Sequence, residues 1–132
     1  MKPLNKSANA VMRKLVDGID ENNSYKKIDN SNTIFMPVVV EWIGKNRIGD
    51  VFSIAHYYEQ NGDLMRDPEM TFWRGGDGNF YPVTFRQDHL GIYEESIYQT
   101  ETSYMIRKKT QSDHAHFANM WMKNIKYQQG IK

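Results

Sequence analysis

Five ionisable side chains fall within one short stretch of the chain: His56, Glu59, Asp63, Asp67 and Glu69. Carboxylates at that density could hold a hard cation, because Ca²⁺ and Mg²⁺ prefer carboxylate oxygens. The spacing matches neither an EF-hand loop nor a His-x-x-x-His zinc pattern. The same residues also have a structural role open to them. Arg66 and Arg74 can pair with the carboxylates, and the polar side chains can close turns. His56 falls on the apolar side of an alternating run, where a buried, hydrogen-bonded histidine is expected. The candidate binding surface is therefore His56, Glu59, Asn61, Asp63, Arg66, Asp67, Glu69 and Trp73. No catalytic residue, metal ligand or cofactor is assigned.

Other motifs carry less chemistry. In Asp113-His114-Ala115-His116 the two imidazoles stand two residues apart, which on a helix aims them at different faces. Glu94 and Glu95 are neighbours on an expected strand and point to opposite sides, so they do not form an acid–base pair. Gly75-Gly76-Asp77-Gly78-Asn79 lacks the Lys-Ser/Thr pair of a phosphate loop, and no helical pattern follows it. It is expected to be a hairpin turn. There is no cysteine, which removes disulfides, thiolate metal sites and cysteine nucleophiles. No nucleophile elbow is present either.

The elements that must position the cluster follow from periodicity. Ser7 to Ile19 predicts a helix with Ser7 as its N-cap, a stripe of Val11, Met12, Leu15, Val16 and Ile19, and Gly18 near its end. Asp20 to Asn32 is polar and predicts a loop. Thr33 to Ile43 holds three consecutive valines, Val38 to Val40, and predicts a strand covered on both faces, with Pro37 at an edge or bulge. After a turn over Gly44 to Gly49, Asp50 to Glu59 predicts a strand with Phe52, Ile54, His56 and Tyr58 on one face. Asn61-Gly62 suits a tight turn, because both residues tolerate positive φ. Asp63 to Pro68 reads as loop or short extended chain, and Glu69 to Arg74 as a strand with Met70 and Phe72 inward. Phe80 to Arg86 follows, with Tyr81, Val83 and Phe85 alternating, and then Gly91 to Tyr98, running on towards Ile106. Ser112 is expected to cap a last helix that ends at Gly130, with Phe117, Met120, Trp121 and Ile125 buried.

These elements predict an α+β fold of one domain over residues 1–132: an antiparallel meander of about five strands with an N-terminal and a C-terminal helix on one face. The other face is then partly open, with Tyr57 and Trp73 as its aromatics. At 132 residues the chain can build one sizeable core.

Charge is uneven although the net value is only +1. Residues 1–40 carry six Lys/Arg against four Asp/Glu, residues 41–101 five against eleven, and residues 102–132 six against one. An acidic middle thus meets a basic C-terminal end. The N-terminal residues lack the apolar run of a signal peptide, and nothing approaches the roughly 20 apolar residues of a membrane span. A cytoplasmic location and no membrane partner are expected.

The segment SIAHYYEQNGDLMRDPEMTFW, with YPVTFRQDHLGIYEE, resembles an uncharacterised family of small phage, plasmid and conjugative-element proteins over about residues 33–98. The string from His56 to Met70 is its specific part. The resemblance implies a mobile-element setting, and with it work on nucleic acid or on host defence proteins, but no reaction. The first expectation is a non-enzymatic binding or regulatory module with a protein or nucleic-acid partner. The alternative is a small metal-dependent hydrolase or nuclease using the carboxylates of residues 56–69. The oligomeric state is left open.

Overall fold

The computed structural model describes residues 1–30, 34–46 and 49–132. Helix α1 (Lys6–Val16) is followed by strands β1 (Tyr25–Ile28), β2 (Val38–Lys45), β3 (Asp50–Gln60), β4 (Asp63–Arg74) and β5 (Phe80–Gln87). A single turn at Asp88–Leu90 leads to β6 (Ile92–Glu95), β7 (Ile97–Gln99) and β8 (Tyr104–Ile106), and α2 (Lys108–Gln128) ends the chain. β1 to β6 form one antiparallel sheet in chain order, and β7 and β8 form a separate two-stranded ribbon. The expected meander is thus present, with one more strand than expected and the ribbon in addition. No helix among the described residues is long and apolar enough to cross a membrane.

Both helices cover the same face of the sheet. Val11, Met12 and Leu15 of α1 and Trp121, Met122 and Ile125 of α2 meet Val38, Val40, Phe52, Ile54, Met70, Phe72 and Phe85 in one core. Strand alternation sends the intervening Val39, Ser53, Ala55 and Thr71 to the opposite face. All three central valines of β2 are buried, as their run predicts. Asn9 of α1 is also buried and ties the helix to β5. Its amide nitrogen donates to the Leu4 carbonyl at 2.8 Å, and its oxygen accepts from the Phe80 backbone N–H at 2.8 Å.

Several boundaries differ from the sequence expectation, each for a local reason. α1 is capped by Asn5, whose side chain accepts from the Ala8 N–H at 2.8 Å, and Ser7 already lies inside the helix. α2 begins at Lys108, four residues before Ser112, without a side-chain cap. The ribbon sets that start: the Arg107 N–H donates to the Ser96 carbonyl at 2.8 Å. Within α2, Met120 is exposed, while Gln111, His114, Ala115, Ala118 and Met122 join Trp121 and Ile125 in the buried stripe.

The expected strand from Gly91 to Tyr98 splits at buried Ser96, whose hydroxyl donates to the Pro82 carbonyl at 3.0 Å. On β5 the register shifts opposite Thr71 and Phe72, so Tyr81 pairs with Trp73 on the open face while Phe85 enters the core. The expected single alternating face of Tyr81, Val83 and Phe85 is thereby broken. The polar stretch from Asp20 to Asn32 contains β1, with residues 31 and 32 outside the described residues. β2 starts at Val38, and residue 33, the expected start of that strand, also lies outside them. So do residues 47 and 48 of the expected turn.

Candidate functional site

The geometry of the candidate cluster begins at the β3–β4 hairpin. Asn61 (φ 53°) and Gly62 (φ 84°) are both left-handed, and Gln60 faces Asp63 across them. Two central residues with positive φ follow the right-handed twist of the paired strands, so the turn continues the ladder rather than splaying it. β4 therefore starts directly at Asp63, so the stretch to Pro68, expected as loop or short extended chain, is strand throughout. A register irregularity sets Asp67 and Pro68 opposite His56 alone, between the pairs Tyr57–Arg66 and Ala55–Glu69. The Asp67–Pro68 peptide is cis. The extra residue keeps Arg66 and Glu69 on the same, open face although three positions separate them.

That arrangement disperses the eight candidate residues. His56 is buried, donates from Nδ1 to the Pro37 carbonyl at 3.0 Å and packs edge-on to Trp121, with ring centroids 5.6 Å apart. Burial holds its pKa below 6.5, against smaller opposing effects of the Pro37 carbonyl and Asp67. It is the satisfied core histidine its position predicts. Glu69 accepts from the Ser53 hydroxyl at 3.0 Å, and Asp67 accepts from the Gln87 amide at 2.8 Å. Glu59 and Asp63 are exposed near the hairpin tip. Trp73 lies ten positions beyond Asp63, about 33 Å along a strand, and belongs to a different part of the sheet.

The two arginines pair outside the cluster, contrary to the expectation that they neutralise its carboxylates. Arg66 donates from Nε to Asp88 at 3.0 Å and from its backbone N–H to the same oxygen at 2.9 Å. Hydrogen bonds from Arg66 and its charge hold the Asp88 carboxyl below the usual range, overcoming the opposing effect of burial. Arg74 donates to Asp50 at 2.9 Å, and Asp50 also accepts from the Trp42 indole at 3.0 Å. Among the described residues no three His, Asp or Glu side chains gather as a metal would require.

The open face instead presents a groove of about 550 Å³ lined by Tyr25, Lys27, Pro37, Val39, Glu41, Tyr57, Tyr58, Glu59 and Leu64. Glu59 is the one candidate residue that lines it. Tyr25 is 55% exposed and Leu64 65%. Burial, then the charges of Glu69 and Glu41, push the Tyr57 phenol above its usual pKa, so it stands as a neutral hydroxyl among carboxylates. Of the two aromatics expected on this face, Tyr57 lines the groove. Trp73 is only 7% exposed, under Tyr81 at a 5.0 Å centroid separation.

β1, and with it Tyr25 and Lys27, falls within the stretch expected to be a polar loop. Four alternating residues, Tyr25-Lys26-Lys27-Ile28, are a short signal inside a polar stretch. Their pairing with Val38 to Glu41 supplies the rest of the strand's definition. The histidine pair behaves as its spacing predicts: His114 is buried against Phe85 and 3.0 Å from Glu94, and His116 is exposed.

A family model described as a domain of unknown function, DUF6908, matches residues 6–131. No curated protein and no solved structure matches the chain.

Proposed function

The chain belongs to the DUF6908 family, and from that premise we propose that it is a non-enzymatic binding module whose open sheet face receives a protein segment carrying apolar and cationic side chains. One observation carries this reading: the groove beside the β3–β4 hairpin, where Tyr25 and Leu64 stand exposed around Tyr57, Tyr58, Pro37 and Val39. Contiguous apolar surface rimmed by polar groups is characteristic of protein contacts. Tyrosine adds large contact area at little entropic cost and keeps a hydroxyl for hydrogen bonding. The ionisable lining holds Glu41 and Glu59 against Lys27, which favours a cationic partner over a phosphate backbone. A cytoplasmic location, a single functional domain and the mobile-element setting implied by the His56–Met70 string are parts of the same proposal.

The test is selection from a random peptide library displayed against the full chain, followed by titration of the selected peptides. Binders should combine Lys or Arg with aliphatic or aromatic residues. Leu64→Ala and Tyr57→Ala should each weaken them at least about tenfold, and Glu41→Lys should weaken the cationic ones. Selected peptides indifferent to all three substitutions would place binding elsewhere. A chain that sediments as a dimer, and as a monomer once Leu64 is changed to Glu, would make a second copy the occupant and remove the foreign segment.

A further inference from the structure

A second surface, on the opposite side of the molecule, has the reverse electrostatic character. Where α1 and α2 lie side by side, their outward faces form a depression of about 810 Å³, continued by a smaller one along α1. Five lysines line the two: Lys6 and Lys14 of α1, Lys123 and Lys126 of α2, and Lys132 beyond it. No Asp or Glu side chain lines either, and among the described residues none of the five lysines forms an ion pair. The floor includes Ala8 and Val11, which leave room for a ligand to approach the helices. Tyr127 stands at the rim, 82% exposed. On α2 it lies four positions from Lys123 and one from Lys126, so the Lys123 ammonium and the ring share one edge of the helix.

We propose that this interhelical groove binds a single nucleic-acid strand, the lysines meeting successive phosphates and Tyr127 stacking on a base. Charge complementarity selects the ligand class: a lined depression with five cations and no carboxylate side chain suits a polyanion. The exposed aromatic beside the cations distinguishes a strand with free bases from other polyanions. The chain's net charge of +1 does not oppose this. The acidic strands lie beneath the helices, a helix diameter of about 10–12 Å away, and at 0.1 M salt charges are screened over about 10 Å. The groove is separate from the tyrosine-lined face, so either site can exist without the other.

The experiment is fluorescence anisotropy of the full chain with a labelled 15-nucleotide oligo-dT, a duplex of the same length and inorganic polyphosphate. Four or five neutralised phosphates give a log K against log[salt] slope of roughly −3, so affinity should fall about 60-fold between 50 and 200 mM salt. The double substitution Lys123→Glu, Lys126→Glu should lower single-strand affinity at least about tenfold. Tyr127→Ala should lower it about fivefold or more and leave polyphosphate binding unchanged. Both changes are at exposed positions, and unchanged circular dichroism will verify the fold. Lys108→Glu, Lys109→Glu, at the other end of α2, serves as the charge control. A flat salt response, an equal loss with that control, or single-strand binding indifferent to Tyr127 would each overturn the proposal.

Discussion

Asn9→Ala tests how α1 is held on the sheet. Asn9 is 3% exposed, donates to the Leu4 carbonyl at 2.8 Å and to the Asn79 side chain at 3.2 Å, and accepts from the Phe80 N–H at 2.8 Å. The Leu4 N–H donates in turn to the Phe80 carbonyl at 3.0 Å, so this amide closes a small ring of bonds between the chain leading into α1 and the first residue of β5. Alanine fits a helix well, and propensity therefore opposes any loss. What remains is a buried Phe80 N–H without its acceptor and a Leu4 carbonyl without its donor, each costing about 1–3 kcal/mol. The Asn79 end reaches water and adds little. The expected destabilisation is about 3 kcal/mol, which at a urea m-value near 1.5 kcal/mol/M moves the unfolding midpoint down by about 2 M. Urea denaturation followed by tryptophan fluorescence measures it, and amide exchange at Phe80 should accelerate in parallel. A loss below about 1 kcal/mol, or an unchanged Phe80 exchange rate, would refute the reasoning.

Two further predictions concern the sheet. Because burial keeps the His56 pKa below 6.5, the unfolded chain binds its proton first as pH falls, and stability should drop as pH is lowered from about 7 through 6.5 towards the folded value. His56→Gln should flatten that part of the stability–pH curve measured by urea midpoints; a mutant curve parallel to the wild type between pH 5 and 7 would contradict it. Gly49→Ala would set a methyl 2.5 Å from the Arg74 carbonyl oxygen and 3.0 Å from the Trp73 indole nitrogen, both part of the sheet. It should cost about 2 kcal/mol and alter the near-ultraviolet dichroism of the tryptophans; an unchanged midpoint would mean the Trp73 end of β4 yields more readily than its packing implies.

The candidate site was legible in outline and misjudged in composition. Asn61-Gly62 announced the hairpin, because side-chain type limits backbone φ, and the alternation of Phe52, Ile54 and His56 placed the histidine in the core. The partners of Arg66 and Arg74 were out of reach: Asp88 lies 22 residues along the chain and Asp50 lies 24. Nothing local favours these over Glu69 or Asp67. A two-against-one register opposite His56 also changes which side chains share a face, and strict alternation cannot anticipate it. Tyr25 and Lys27 enter the groove through β1, a four-residue edge strand whose identity depends on its neighbour.

The sequence by itself determined the α+β class, the meander order, the stripe of α1, the β3–β4 turn and the uneven distribution of charge. Each follows from period, turn chemistry or composition, which act over a few residues. Only the tertiary structure decided where α2 begins, which carboxylates the arginines take, and that the fourteen residues from His56 to Glu69 divide between a core, an open face and a solvent-facing tip. It also brought Lys6 and Lys14 beside Lys123 and Lys126, more than a hundred residues away in the chain. The physical reason is the same throughout: hydrogen bonds and charges choose partners by distance in space, and the chain order does not record that distance.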